Sequence, residues 1–522
     1  MLNVIFLSKQ QSMKKNFLLL LLSICTVIYS NAQVPDDALR SAWFLPGGTA
    51  RNIAIGGAMG SLGGDITANN INPAGIGLFK TKELVLSPGF MLNNNKLNYH
   101  GEESSLKKNA FTYGATGIII GTPNPYKGVW TSSAFSVSVN QLASFNNHTY
   151  YKGFNNNSSY SEQYLEELVR DGASPQAAES NYIFGSSLAY RTYLIDSVNE
   201  NGQLTGYKSL VPVGTGINQE RDETTKGSYN EISLAFAGNL QDKLYVGASI
   251  NLPVVSYTRD LWFKETDATN DANNNFDFSE FNEHTTSNGI GINAKLGLIY
   301  KPQNNIRLGL AIHTPSYIGF KDRIRADMTT NTEAYAGLRT SKSDDLNSGN
   351  PGERNYSLLT PWRVIGSASF VFNEVADTRK QKGFITADLE YVNYRGARFS
   401  TSNPDDQTGK DYYTSLNDIV KDYYKGAINV RIGGELKFDV LAVRLGGAYY
   451  GNPYADKALK ASRIMGSGGI GYRNHGYFID LTYAQTINKD VSFPYRLNDK
   501  PNTFADWKNN RGNLVLTFGF KI

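Results

Sequence analysis

The sequence contains one cysteine, Cys25, and no apolar run long enough to cross a membrane as a helix. A chain with a single cysteine has no disulfide framework, so its stability has to come from other interactions. A membrane-spanning helix needs about 20 consecutive apolar residues. The longest apolar stretch, 17–28, has only 12 residues. The sequence therefore excludes a disulfide-stapled domain and a helical membrane protein.

A large excess of one charge is also missing. The formal net charge is +4, and it falls to +1 if Lys9, Lys14 and Lys15 are removed with the N-terminal leader described below. So small a charge provides no basic surface for nucleic acid. The histidines are scattered without paired ligand spacing, at His100, His148, His284, His313 and His475. We therefore predict no metal site and no cofactor, and haem is a disfavoured alternative.

The first 32 residues have the three parts of a secretory signal peptide. Lys14 and Lys15 precede the apolar stretch, and Ser30-Asn31-Ala32 follows it as a small-x-small cleavage site. We expect cleavage after Ala32 and a translation start at Met13. The mature chain is therefore predicted to be exported.

Aromatic residues and glycine, by contrast, are plentiful. Aromatic residues make up 12% of the chain, with 32 tyrosines, and there are 50 glycines. No Pro- or Ser-rich linker divides the chain. This composition is typical of an outer-membrane β-barrel, whose strands have one apolar and one polar face. A soluble β-sandwich could match the composition, but it would not account for the loop pattern described next.

Alternating apolar residues predict strands along most of the chain. The pattern is clearest near the C-terminus, where one face carries Leu514, Leu516, Phe518, Phe520 and Ile522 and the other carries Val515, Thr517, Gly519 and Lys521. The barrel-assembly machinery of Gram-negative bacteria recognises C-terminal strands of this kind. That machinery is therefore a predicted partner.

The alternation predicts fourteen strands, near 83–93, 109–121, 129–150, 227–240, 243–259, 286–301, 305–320, 357–373, 381–399, 426–438, 440–452, 464–474, 476–488 and 511–522. Short connections alternate with longer polar ones, at 94–108, 151–226, 260–285, 321–356, 400–425, 453–463 and 489–510. Short periplasmic turns and long extracellular loops produce this alternation. The predicted fold is an all-β transmembrane β-barrel of about fourteen antiparallel strands over 81–522, monomeric and surrounded by outer-membrane lipid, with helices in the loop 151–226.

Charged residues in these strands fall on the face opposite the apolar one. They are Lys295, Arg307, Arg363, Asp388, Glu390, Arg431, Glu435, Arg444 and Asp480. An Arg or Lys on the lipid face at the midplane would cost about 2–4 kcal/mol, so we expect these side chains to line the lumen. Their mixed signs predict a salt-bridged interior packed on another part of the chain.

One strand breaks its own alternation. Phe135, Val137 and Val139 set one apolar face, whereas Leu142 falls on the other. A bulge or kink around Asn140-Gln141 would absorb this slip and interrupt ladder hydrogen bonds. In a barrel wall it could open a gap toward the lipid. A bulge at the barrel rim is the alternative.

The segment 50–79 has neither helical nor strand periodicity and is rich in Gly, Ala and Asn. Because glycine costs backbone entropy in a regular element, such a segment cannot build its own core. We predict a compact insert whose walls come from the rest of the chain. A phosphate-binding loop at GGAMGSLGG is disfavoured, since no strand precedes it and no clear helix follows.

Five stretches resemble the FadL/TodX family of outer-membrane transporters for hydrophobic compounds, in its Bacteroidetes type: GTARNIAIGGAMGSLGGDITANNINPAGIG, NLQDKLYVGASINLP, GINAKLGLIYKPQNNIRLGLAIHTP, PWRVIGSASFVF and INVRIGGE. The triplet Asn72-Pro73-Ala74 is the most specific mark. The resemblance implies that residues 33–80 form a hatch, a plug inside the barrel, and that the triplet belongs to a substrate-binding part of it. It also implies a sideways exit through a gap at the kinked third strand, around Asn140 and Gln141.

These features predict passive uptake of hydrophobic small molecules, long-chain fatty-acid-like compounds in the first place. The alternative is an outer-membrane binding platform, an adhesin or a secretion-complex partner, built on the same barrel. A barrel enzyme is disfavoured because no G-x-S-x-G motif and no His-paired nucleophile stand out.

Overall fold

The computed structural model describes residues 35–45, 47–126, 128–269, 271–373, 381–457, 459 and 461–522. The predicted signal peptide lies outside the described residues, and so does 374–380, the short connection between the predicted strands 357–373 and 381–399. Within these ranges, the helices are all too short or too polar to cross a bilayer.

The described residues form a closed antiparallel barrel of fourteen wall strands, as the sequence predicts. Strand segments are numbered β1 to β24 in chain order, and some wall strands consist of more than one segment. In order, the wall strands are β1 Lys82–Leu86 with β2 Pro88–Tyr99; β3 Glu102–Lys107, β4 Ala110–Tyr113 and β5 Thr116–Pro123; β6 Trp130–Ser144 with β7 Asn147–Asn155; β10 Ile217–Leu240; β11 Leu244–Asp267; β12 Phe278–Gln303; β13 Ile306–His313 with β14 Tyr317–Asn331; β16 Gly352–Leu359 with β17 Arg363–Phe372; β18 Gly383–Asn393 with β19 Arg398–Thr401; β20 Gly426–Phe438; β21 Leu441–Tyr450; β22 Ser462–Asn474; β23 Tyr477–Ser492; and β24 Ala505–Lys521. The ring closes because Phe520 pairs with Leu84 of the first wall strand and with Tyr477 of the thirteenth.

The two faces of the wall differ in chemistry. Large apolar side chains point outward, and Ile290 and Leu445 are 66% and 69% exposed. Their neighbours on the opposite face are small or polar and buried, as Ser249 and Thr517 are. This is the arrangement of a barrel that meets lipid outside and protein inside.

The two ends of the barrel are also different. One end, called the turn end, has tight connections such as Gln241–Asp242, where both residues have positive φ. The other end, called the loop end, carries α4 Glu162–Arg170, α5 Pro175–Ser180, α6 Ser186–Arg191, the hairpin β8 Ile195–Glu200 and β9 Gln203–Ser209, β15 Leu338–Lys342, α7 Ser343–Leu346 and α8 Gln407–Tyr423. In α5 the Ser174 side chain caps the helix and Pro175 opens it, as the Ser-Pro pair indicates.

The predicted loop at 94–108 is mostly strand, so that prediction is wrong. β2 continues to Tyr99 and β3 begins at Glu102, and residues 94–99 pair directly with 102–107. Here the wall projects beyond the exposed apolar belt. The outward side chains here are the polar Asn94, Lys96 and Asn98, and the apolar Leu97 and Tyr99 lie on the buried inner face. The outward apolar alternation therefore ends although the ladder continues.

Residues 47–79 lie inside the barrel, where nearly all are buried. This N-terminal insert contains α2 Ala50–Ala54, α3 Ala68–Ile71 and a 3-10 turn, Pro73–Leu78, and it follows α1, Pro35–Arg40. Its apolar anchors pack on inward wall residues: Ile66 and Ile76, for example, share a cluster with Val85 and Ile119. The insert has no core apart from the wall, as its composition predicts.

Candidate functional site

The insert touches the wall backbone to backbone. A Cβ atom at Gly309 of β13 would lie under 3.0 Å from the carbonyl oxygen of Gly60, and one at Gly446 of β21 would lie equally close to the backbone of Gly56. Real Cβ atoms do not approach so closely. The fit of the insert therefore depends on wall positions that carry no side chain.

The triplet Asn72-Pro73-Ala74 fastens the insert to this wall. The Asn72 amide donates to the carbonyl oxygens of Gly60 at 2.6 Å and Leu298 at 3.2 Å, and its oxygen accepts from the Ala74 N–H at 3.1 Å. Pro73 opens the 3-10 turn. None of the three residues lines either interior cavity described below. These contacts hold the insert against the wall, and the predicted part of the triplet in substrate binding stays a prediction.

Two neighbouring asparagines make further links that the sequence reasoning missed. Asn69 donates to Ser136 and Ser138 of the third wall strand, each at 2.8 Å. Asn70 donates to Glu231 at 2.8 Å. The run of asparagines, in a segment with few other polar side chains, is the sequence feature that could have indicated these links to the wall.

The predicted lumen charges lie inside the barrel in three groups, each in contact with the insert. In the first, Lys295 forms a buried ion pair with Glu231, which also accepts from Asn293 at 2.9 Å and from Asn70 of the insert. Glu231 was not among the predicted residues. Its position in phase with the inward Ser233 could have revealed it.

The second group joins Arg363, Asp388, Glu390 and Arg431. Glu390 accepts from Arg431 and, at 3.4 Å, from Arg363, while Asp388 accepts from the N–H of Gly60 of the insert at 3.1 Å. The Arg363 guanidinium also donates to the Ala42 carbonyl at 3.1 Å. These charges therefore hold both the insert and the segment that precedes it.

The third group contains Glu435, Arg444 and Asp480. Arg444 donates to both carboxylates at 2.6 Å, and Arg51 of the insert lies 3.4 Å from Glu435. Arg307 donates to the Leu62 carbonyl of the insert at 2.7 Å. Three of the nine predicted side chains, Arg307, Asp388 and Glu435, contact the insert directly, and the other six are linked to Asp388, Glu435 or Glu231 through ion pairs.

A cavity of about 750 Å³ lies on the loop side of the insert. Its apolar lining includes Leu39, Trp43, Phe44, Leu45, Leu142 and Phe145, and aromatic residues from the loops surround its outer part, namely Tyr160, Tyr423, Tyr454, Phe493 and Tyr495. A smaller cavity of about 100 Å³ shares Phe44 and Leu142 with it and reaches the first two charge groups.

The α1 helix supplies part of this lining. Arg40 donates to Asp37 at 2.7 Å and lies over the ring of Tyr257, 3.9 Å from its centroid. Burial is the largest single influence on Arg40 and opposes its charge, but Asp37, Tyr257, Tyr356 and Asp322 together outweigh it and raise the pKa of the guanidinium above its ordinary value. Arg40 therefore stays charged and paired inside the barrel.

The wall is incomplete beside this cavity. β5 pairs with β6 only as far as Thr116 with Val139, and β4 pairs with β2. Across the described residues, 140–144 of β6 have no ladder partner on that side. On the other side a register shift pairs Asn230 with Gln141 and Tyr229 with Ala143, which leaves Leu142 as an extra residue.

The predicted kink residues lie at this unpaired stretch. Asn140 points inward and donates to Asn70 of the insert at 3.4 Å, while the Gln141 side chain accepts from the N–H of Tyr113 at 3.2 Å. The larger cavity is bordered by Gly114 on one edge of the stretch and by Gln141 and Leu142 on the other. A molecule in the cavity therefore lies next to a part of the wall that ladder hydrogen bonds do not close.

Clusters of His, Cys, Asp or Glu that could hold a metal ion are absent from the described part of the chain. The polar groups that line the cavity are amides, hydroxyl groups, guanidinium groups, the Lys489 ammonium and four carboxylates.

Comparison with solved structures finds barrels of the same design. A FadL homologue from Pseudomonas aeruginosa matches with a TM-score of 0.54 and 13% identity, over 91% of this chain and 99% of that chain. The toluene transporter TodX from Pseudomonas putida matches with a TM-score of 0.52 and 14% identity, over 92% and 99%.

At the level of sequence no family model matches the chain, and no curated protein is significantly similar to it. Identities of 13–14% establish likeness of fold alone. The resemblance read from the sequence is thereby confirmed at that level: this chain has the fold of the FadL/TodX outer-membrane barrels.

Proposed function

We propose that the chain is an outer-membrane channel for the passive uptake of hydrophobic compounds, with long-chain fatty-acid-like molecules as its cargo. One observation carries the proposal: an interior cavity, closed below by the insert, ends at the unpaired stretch 140–144 of the wall. In this scheme the loop end is extracellular and the turn end periplasmic. The insert acts as the hatch, residues 33–80, inside a barrel formed by 81–522.

The physical basis is shielding of an apolar molecule from polar surroundings. Moving apolar surface out of water is favourable, so a partly apolar cavity takes up such a molecule without energy input. The insert lies across the axis with its backbone against the wall, as at Gly60 and Gly309. A sideways route through the unpaired stretch avoids displacing it. Cargo leaving there enters the lipid that it prefers.

The proposal includes the remaining expectations from the sequence. The chain is exported with a cleaved leader, inserted by the barrel-assembly machinery and active as a monomer in outer-membrane lipid. Asn72, Pro73 and Ala74 serve the hatch by holding it, and the nine lumen charges anchor it.

The test is uptake by a Gram-negative host that lacks its own fatty-acid channel. Expression of the chain is expected to restore uptake of radiolabelled oleate and growth on oleate. Toluene uptake, measured in parallel, separates a fatty-acid channel from a monoaromatic one. Correctly assembled protein that restores uptake of neither compound would contradict the proposal.

The binding-platform alternative has one observation in its favour. Large apolar side chains are exposed at the loop end, and Val169, Leu338 and Ile419 are 62%, 66% and 53% accessible. A strain lacking the gene that keeps normal uptake but loses surface adhesion would favour this alternative.

A further inference from the structure

One wall of the larger cavity carries polar side chains whose buried atoms have no partner. The Nε atoms of Arg463 and Arg511 and the Oδ1 atoms of Asn488 and Asn513 make no hydrogen bond to the described residues. All four side chains line the cavity. A buried donor or acceptor without a partner costs free energy, so such atoms are rare unless something else satisfies them.

These four residues lie together on the wall. They belong to β22, β23 and β24, three consecutive wall strands, and Arg463 is paired directly with Asn488. On β24, Arg511 and Asn513 are two residues apart and therefore share the inward face. Two hydrogen-bond donors and two acceptors are thus presented together on the inner face of β22–β24.

Among the described residues, no carboxylate balances the guanidinium of Arg511. The charged group that acts on it is Arg463, which repels it. Arg463 lies 3.5 Å above the centroid of the Trp43 ring, donates to the Trp43 carbonyl at 2.7 Å and has Asp490 near it. Over the whole cavity, seven cationic side chains face four carboxylates. The cavity therefore favours an anion.

The remaining lining suits the apolar part of the same molecule. Leu39, Phe44 and Leu45 come from the N-terminal segment, and Leu142 and Phe145 border the unpaired stretch. A ligand with its polar end at β22–β24 would lay its apolar part along these residues, toward the stretch. Apolar side chains on one side of a pocket and placed polar groups on the other orient a ligand in this way.

We propose that this cavity selects amphiphilic acids that carry a hydroxyl or amide group close to the acid. The acid group accepts from the guanidinium groups of Arg463 and Arg511, and the hydroxyl or amide hydrogen is donated to Asn488 or Asn513. A neutral hydrocarbon leaves all four buried atoms unsatisfied, which a site built for hydrogen bonds rejects. The inference rests on the proposed function, because it concerns the cargo of the same cavity.

The test compares three ligands of equal chain length, dodecan-1-ol, dodecanoate and 3-hydroxydodecanoate, by calorimetric titration of the purified protein in a neutral detergent. Affinity is expected to rise about tenfold from the alcohol to the acid, because hydrogen bonds to charged groups are the stronger ones, and severalfold more with the hydroxyl. Arg511→Gln is expected to lower affinity for both acids by about tenfold and to leave dodecan-1-ol binding unchanged. Asn513→Ala should remove only the advantage of the hydroxyl.

Lys508→Gln is the matched control, since Lys508 is an exposed cation on the outward face of the same strand. It should alter no affinity. Equal affinity of the wild type for all three ligands, or unchanged selectivity in Arg511→Gln, would overturn this inference and leave the proposed function standing. Absence of binding for all three would overturn both.

Discussion

The carbonyl oxygen of Gly48 occupies the space in front of Gly114: a Cβ atom at Gly114 would lie under 3.0 Å from it. Gly48 belongs to the N-terminal insert, and Gly114 lies at the edge of the unpaired stretch of wall, where the larger cavity also ends. The insert and the incomplete part of the wall are therefore in direct contact. Insert, cavity and wall gap form one connected arrangement.

The first prediction concerns this contact. Gly114→Ala places a methyl group against the Gly48 backbone, and overpacking of this kind costs about 1–3 kcal/mol. We expect a lower melting temperature and reduced uptake of hydrophobic cargo, because the insert has to shift at the inner side of the gap. Gly366→Ala is the control, since nothing lies within 4 Å of a Cβ there. Equal changes in melting temperature and uptake for the two substitutions would show that the contact between Gly114 and Gly48 affects neither.

The second prediction concerns how firmly the insert is held. Gly309→Ala and Gly446→Ala each force a Cβ into the insert backbone. If the insert seals the barrel, the double variant is expected to show higher single-channel conductance in planar bilayers than the wild type. Gly466→Ala on β22, where the space is open, should leave conductance unchanged. A tight seal in the double variant would mean that the insert does not close the lumen.

The third prediction concerns the buried ion pair of Lys295 with Glu231. Glu231→Leu alone leaves a buried cation without its partner and is expected to cost about 3–5 kcal/mol of stability. Glu231→Leu with Lys295→Met removes both charges and should recover most of that loss. Urea unfolding of the protein in lipid vesicles measures both. A double variant as unstable as the single one would contradict the prediction, because it would show that the loss does not come from the unpaired charge of Lys295.

The wall of the barrel could be predicted from the sequence because lipid imposes a two-residue period. Wherever one face meets lipid, as from Ile290 to Leu298, apolar residues alternate and the strand is evident. Beyond the lipid belt that constraint ends. The strand segments that end at Tyr99 and begin at Glu102 lack a lipid-facing apolar alternation, so the sequence predicts a loop there. Helix α8 was missed in the same region, although Tyr413, Leu416 and Val420 have helical spacing.

The candidate site was less predictable, for a different reason. The slip at Leu142 breaks a local pattern and is visible in one strand. The pairing of Glu231 with Lys295, or of Asn69 with Ser136 and Ser138, joins residues far apart in the chain. Only the register of a closed barrel brings them together, and a single sequence does not carry that register.

The most direct test of the account deletes Leu142, the extra residue that keeps β6 out of register. Removal of the bulge residue restores a continuous ladder between β6 and β10 and removes the bend that a bulge imposes on β6. The opposite edge of β6 should then straighten toward β4 and β5 and narrow the gap while the barrel still folds. Leu142→Ala keeps the bulge and is the control. We predict that the deletion variant reaches the outer membrane, yet takes up labelled oleate no faster than cells without the protein, whereas Leu142→Ala retains uptake. A folded deletion variant with normal uptake would contradict passage through this part of the wall.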